Sequence, residues 1–112
     1  MAQKPLRFSI VEVEPYPYPG RPRFGFKITI DPEINDKDVI IATIMDLLRK
    51  RETGKAASVL VYGHTDNTSR AWTKADGEWS KDGKGWSGEE EYDPRLKVTF
   101  ADGSVEYREF KR

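Results

Sequence analysis

The residue types best suited to chemistry lie in one polar stretch, residues 63–94. His64 is the only imidazole of the chain, and Asp66 follows it two positions later. An imidazole beside a carboxylate can hold a metal ion or act as a general base. Transition-metal sites gather several such ligands, however, and the chain has neither a cysteine nor a second histidine. We therefore predict a ligand-binding role for His64 and Asp66, and no metal.

Three tryptophans lie in the same stretch at a spacing of seven residues, namely Trp72, Trp79 and Trp86. A helix would place them on one stripe, but the glycines between them disfavour a helix. Indole rings on a glycine-rich surface are good platforms for sugars or bases, because each offers a flat apolar face and an N–H donor. The alternative is that the rings close the second edge of a small core. All three tryptophans are candidate ligand-binding residues.

The segment 78–89 partly matches the calcium-binding loop of an EF-hand. Glu78, Ser80 and Asp82 occupy its first, third and fifth positions, and Glu89 occupies the twelfth. No helical pattern flanks the segment, as an EF-hand requires. The sequence thus predicts no cofactor, with calcium at these four residues as an alternative.

Composition excludes several classes of protein. The chain has 112 residues with 19 basic and 19 acidic side chains, and this length fits a single domain over residues 1–112. Balanced charge disfavours a nucleic-acid binder, and the lack of cysteine excludes a disulfide scaffold. The longest strictly apolar run, 39–42, is far too short to cross a membrane. The first residues lack the apolar core of a secretory signal, so we expect a cytoplasmic location.

Hydrophobic periodicity predicts an α+β fold, an antiparallel sheet of four to six strands with one main helix packed across one face. Alternating residues predict two strands over 6–13 and 24–30, with a bulge in the first, joined as a hairpin by a proline-rich connection. Apolar residues at helical spacing predict the helix over about 36–51, with Asn35 as its N-cap.

The second half of the chain predicts further strands. Residues 59–62 are apolar on both faces and indicate a central strand. The stretch 63–94 indicates extra short strands or a functional loop. Asp102 and Gly103 are typical of a two-residue hairpin turn, which would set Val105 and Tyr107 on the core face.

Residues 60–68 (Leu-Val-Tyr-Gly-His-Thr-Asp-Asn-Thr) resemble OmpA-like peptidoglycan-binding domains, in which a helix and a strand precede Gly-His-Thr-Asp-Asn-Thr. The resemblance implies that Asp66 contacts the diaminopimelate of the wall peptide. The other anchor of that family is an arginine on a second helix. The matching residues here, 73–81, contain no arginine and no amphipathic pattern, so the resemblance covers half of that site.

A broader stretch, residues 36–100, resembles small bacterial domains of unknown function. Those domains carry Tyr-Thr-x-Ala-x-x-x-Trp-x-Pro-x-Gly-x-Trp after a helix and a strand. The residues that match it here are Trp72, Thr73, Ala75, Trp79, Gly83 and Trp86. Because that family has no assigned activity, the resemblance implies a fold and no chemistry.

Together these patterns favour a non-enzymatic binding or scaffolding module that acts through the 63–94 stretch. Its partner would be a protein or a second copy of the chain. One alternative is a cell-wall or carbohydrate-binding module that uses His64, Asp66 and the tryptophans. The other is a small metal-dependent hydrolase, which we disfavour because candidate acids and bases are few and scattered along the sequence.

Overall fold

The computed structural model of the chain describes residues 7–16, 19–68, 72–89 and 96–110. Six strands form a single sheet in chain order, and one helix packs against it. The predicted α+β class, with its strand number and main helix, is confirmed. The elements are β1 (Ser9–Tyr16), β2 (Arg23–Ile30), α1 (Lys37–Lys50), β3 (Ala56–Gly63), β4 (Ala75–Ser80), β5 (Leu96–Phe100) and β6 (Val105–Arg108).

The sheet is mixed, although we predicted an antiparallel one. β2 and β3 run parallel, and the other four neighbouring pairs are antiparallel. The parallel pair arises because α1 lies between the two strands in sequence and carries the chain back along one face of the sheet. β1 contains the predicted bulge, between Ile10 and Glu12.

The helix α1 forms where its periodicity predicts. Its N-cap is Asp36, one residue after the predicted Asn35, and the Asp36 carboxylate accepts the backbone N–H groups of Asp38 and Val39. No helix among the described residues is long and apolar enough to cross a membrane. The buried apolar residues that α1 packs against the sheet are Ile40, Ile41, Ile44, Leu47 and Leu48.

Because side chains alternate along a strand, the sheet has two chemically different faces. The face under α1, termed the helix face, is apolar, and Phe26, Val59 and Val98 lie on it in one row with Gly77. A Cβ on Gly77 would lie 3.1 Å from the Ile44 side chain, so the helix packs closely there. The opposite face, termed the open face, carries no helix among the described residues.

The prediction for β6 was wrong by one residue. Val105 pairs with Thr99 rather than with Phe100, because the turn holds one residue more than the predicted two and has Gly103 at a φ of 88°. A shift of one residue moves side chains to the other face of a sheet. Val105 and Tyr107 therefore lie on the open face, where they are 42% and 45% exposed.

Candidate functional site: a groove on the open face

The predicted ligand-binding residues lie in three separate places. His64, Asp66 and Trp72 belong to the connection between β3 and β4, at the end of the sheet where β3 stops. Trp86 belongs to the connection between β4 and β5, and the antiparallel pairing of β3 with β4 puts that connection at the opposite end. Trp79 lies between them on the helix face and is 1% exposed.

Trp79 is part of the core. Its indole N–H donates to the Phe110 carbonyl at 2.9 Å, and the two rings meet edge to face with centroids 5.9 Å apart. The indole polar group is thus satisfied inside the protein, and the ring presents no face to a ligand. The three tryptophans do not share one surface.

His64 and Asp66 make bonds within their own end of the sheet. Asp66 accepts hydrogen bonds from the Thr73 hydroxyl and from the Gly63 backbone N–H, the latter at 2.8 Å. These bonds, with Thr73 first, lower the pKa of Asp66. His64 is exposed, and its Nδ1 lies 2.9 Å from the hydroxyl of Thr29. The Asp66 carboxylate thereby closes the turn after β3.

The four candidate calcium ligands have different surroundings. Ser80 is buried and its hydroxyl accepts a backbone N–H, whereas both oxygens of Asp82 bind Arg21. Glu78 lies on the open face of β4, and Glu89 is exposed. Over the described ranges, no cluster of three or more His, Cys, Asp or Glu side chains could hold a metal ion. Calcium binding at these four residues stays a prediction, and the described residues offer no cluster of ligands in its support.

The open face carries a groove of ≈ 280 Å³ that sequence analysis did not find. Room for it exists because Gly25 and Ser58, which pair across β2 and β3, are both small. We term this cavity the open-face groove. It is lined by residues of the first three strands and by one loop tryptophan, namely Glu12, Glu14, Tyr16, Gly25, Phe26, Lys27, Ser58, Leu60 and Trp86.

Arg21 fixes the loop that carries Trp86. Its side chain is 10% exposed, and its guanidinium donates to both oxygens of Asp82, at 2.7 and 3.1 Å, and to the Gly85 carbonyl. This bidentate pair holds the pKa of Asp82 well below its usual range. The Trp86 carbonyl accepts from Arg21 at 3.4 Å and from Arg23 at 3.1 Å. Two partly buried arginine hydrogen bonds therefore set the position of the Trp86 backbone.

Two aromatic rings border the open-face groove. Tyr16 and Trp86 meet edge to face, with ring centroids 5.5 Å apart and planes at 78°. The Arg23 guanidinium carbon lies 4.7 Å from the centre of the Trp86 ring, a cation–π contact. Tyr16 lies over Gly25, where an added Cβ would come within 2.9 Å of the tyrosine ring. The groove thus has an aromatic border that packing holds in place.

The charged groups of the groove are partly paired. Lys27 Nζ lies 3.4 Å from a Glu12 oxygen and donates to the Thr68 carbonyl at 2.8 Å. Glu14 accepts the Tyr16 hydroxyl at 2.9 Å. This hydrogen bond, partial burial and the negative charges of Glu14 and Glu12 raise the pKa of Tyr16.

A further carboxylate lies beside the groove. Asp76 pairs with Leu60 of the groove across β3 and β4. Its Oδ1 is buried and has no hydrogen-bond partner among the described residues. Burial raises the pKa of Asp76, and the charge of Lys97 partly opposes that shift.

A second cavity, of ≈ 250 Å³, lies near the start of α1. Its polar groups are bonded to one another, since Lys37 pairs with Asp102 at 2.8 Å and Lys74 donates to Asn35 at 2.8 Å. With its charged groups satisfied internally, this cavity offers fewer contacts to a ligand than the open-face groove does.

Comparison with known proteins finds a similar fold and no assigned activity. No family model and no curated protein matches the sequence. Among solved structures, the chain is similar to the crystal structure of a DUF487 family protein from Desulfovibrio piger, with a TM-score of 0.60 and 20% identity over 89% of this chain and 68% of that one. At this identity the likeness shows the fold alone. It agrees with a small domain of unknown function, and it does not test the tryptophan motif.

Proposed function

We propose that this chain is a non-enzymatic binding module whose ligand occupies the open-face groove. The observation that carries the proposal is the groove itself, ≈ 280 Å³ beside two aromatic rings, the apolar Leu60 and three charged groups. Small-molecule sites have this composition, mostly apolar with a few polar groups that orient the ligand. The Arg21 bonds hold Trp86 in place before any ligand arrives, which lowers the cost of binding.

Binding is favoured over catalysis by what surrounds the groove. Lys27 and Glu12 are paired with each other, and Glu14 is bonded to the Tyr16 hydroxyl. The imidazole of His64 lies at the other end of β3 from Trp86. Among the described residues that line the groove, Glu14 is the base that meets a hydroxyl, and the raised pKa of Tyr16 makes that phenol a poor nucleophile.

A carbohydrate-binding module is a second candidate. The Trp86 and Tyr16 rings offer stacking surfaces, and the Glu12 and Glu14 carboxylates beside them can accept sugar hydroxyls. In this form the site would use Trp86, but neither Asp66 nor Trp79.

The experiment follows the three indole N–H signals in a proton–nitrogen correlation spectrum during titration with small probes, namely maltotriose, butylurea and butylguanidinium. We expect at least one probe to shift the Trp86 signal saturably. The Trp79 signal should stay in place, because that ring is buried on the helix face. The variant Trp86→Phe assigns the signal.

A blocking variant tests the location. Ser58→Met should fill the groove and abolish the Trp86 shift, whereas Ser9→Met, at an exposed position of β1, should leave it intact. The proposal fails if no probe of the panel moves the Trp86 signal, or if Ser58→Met binds as the unmodified protein does.

A further inference from the structure

The charged groups that line the open-face groove leave one negative charge unbalanced. Glu12 and Lys27 form an ion pair, and the same ammonium also donates to the Thr68 carbonyl. Glu14 bonds to the neutral hydroxyl of Tyr16, and no cation among the described residues forms an ion pair with it. A carboxylate accepts through both of its oxygens, so Glu14 keeps capacity for a charged donor.

The rings beside Glu14 favour the same kind of ligand. A cation over the face of an aromatic ring is attracted by the negative charge density of that face, and tryptophan is the strongest such partner. Within the protein, the Arg23 guanidinium already makes such a cation–π contact with Trp86. Because Trp86 and Tyr16 both line the groove, a ligand there lies within reach of two aromatic rings.

Further acidic groups lie on the open face around the groove, where Arg23, Lys27 and Lys97 also lie. The hydrogen bond to Glu14 is the main cause of the raised pKa of Tyr16, and burial and the negative charges of Glu14 and Glu12 add to it; charges that disfavour a phenolate favour a cation. Asp76 adds another carboxylate next to Leu60, with one oxygen that no described group satisfies. The charge of Lys97 partly opposes the raised pKa of Asp76.

We infer that the open-face groove binds a small organic cation, an ammonium or guanidinium group on a short apolar chain, with Glu14 as its counter-charge and Trp86 and Tyr16 as its aromatic contacts. The inference rests on the proposed function and adds the ligand class. The cation pairs with Glu14, and the chain lies along Leu60 and Gly25. A volume of ≈ 280 Å³ suits a chain of a few carbons.

Calorimetric titration with butylguanidinium and with butylurea tests the charge directly, because the two probes share one shape and differ in charge. We expect butylguanidinium to bind about tenfold more tightly than butylurea at low salt. The difference should shrink at high salt, since screening weakens exposed charge pairs.

Variants separate the counter-charge from the rings. Glu14→Gln keeps a partner for the Tyr16 hydroxyl and should weaken butylguanidinium binding about tenfold while leaving butylurea unchanged. The matched control is Glu33→Gln, an exposed position outside the groove that removes the same charge. Trp86→Leu should weaken both probes. Circular dichroism checks that each variant is folded.

The outcomes distinguish this inference from the proposed function. If maltotriose or butylurea shifts the Trp86 signal and binds as tightly as butylguanidinium, the cation inference is overturned and the groove remains the site. If Glu14→Gln and Glu33→Gln weaken butylguanidinium equally, Glu14 is not the counter-charge. If only an arginine within a longer peptide binds, the small-cation assignment is overturned. If no probe shifts the Trp86 indole signal, both the proposed function and the cation inference are wrong.

Discussion

We expect the ionised carboxylate of Asp76, on the open face, to lower the free energy of unfolding. Burial raises its pKa in the folded state above the ordinary value of 3.8, so the folded state holds its proton more tightly than the unfolded chain does. Stability contributed by this group is therefore present at acid pH and is lost as the pH rises through its folded pKa. We expect Asp76→Asn to raise the free energy of unfolding by about 1 kcal/mol at neutral pH, with little effect below the ordinary pKa.

Urea unfolding at neutral and at acid pH measures this effect, with the exposed Glu33→Gln as the control that should change neither value. A larger loss of stability for Asp76→Asn at neutral than at acid pH would mean that the ionised carboxylate makes a stabilising interaction and would contradict the expectation. Sites that bind ligands commonly keep such unfavourable groups. Asp76 beside the groove is therefore a further candidate for contact with a ligand.

Residue type did not lead to the open-face groove. His64 and Asp66 were chosen because imidazole and carboxylate carry chemistry, yet the Asp66 carboxylate closes its own turn. Glu12 and Glu14 alternate along a strand, and alternation alone cannot show that Glu14 pairs with Gly25, whose own partner on the next strand is the small Ser58. The signal that finds the groove is strand register, which follows from pairing partners distant in sequence.

The β4–β5 connection depends on Arg21, which precedes β2. The Arg21 side chain is 10% exposed, and removing its charge leaves the Asp82 carboxylate and the Gly85 carbonyl without this donor, which costs several kcal/mol. We expect Arg21→Gln to lower the free energy of unfolding by about 3 kcal/mol and to broaden the Trp86 indole signal. Because the pair lowers the folded pKa of Asp82, its stabilisation holds at neutral pH and is lost toward strongly acid pH.

Urea unfolding checks this value against a matched control. Lys50→Gln breaks an exposed pair of similar length, Lys50 with Asp46 at 2.9 Å on one face of α1, and should cost about 0.5 kcal/mol. Equal costs for the two variants would contradict the role assigned to Arg21.

Elements were more predictable than their pairing. The helix and the strands around it followed from periodicity, because burial on one side imposes a period of 3.6 or 2 along the chain. β4 lies within the 63–94 stretch, where we expected extra short strands or a loop. Its position could not be predicted from alternation, because glycine rather than a hydrophobic residue occupies the core position at Gly77. The parallel direction of β3 depends on the crossover through α1, and the register of β6 depends on one extra turn residue. Hydrophobic periodicity predicts neither of these.

Over the whole molecule, the core between α1 and the sheet supplies stability, whereas the open face carries the groove of the proposed function. Leu48 is fully buried between α1 and the sheet, whereas Leu60 is half-buried on the open face. We expect Leu48→Ala to lower the free energy of unfolding by about 3 kcal/mol and Leu60→Ala by about 1 kcal/mol. Urea unfolding compares two identical substitutions. Similar losses would show that the open face is part of the folding core and not a surface kept for a ligand.

The most direct test of the groove as the binding site is a residue-by-residue map of amide and indole shifts on addition of butylguanidinium, maltotriose and butylurea. If the groove is the binding site, a bound probe produces its largest shifts at Gly25, Ser58 and Trp86. Largest shifts at His64 and Asp66, at the other end of β3, or no saturable shift for any probe, would contradict it.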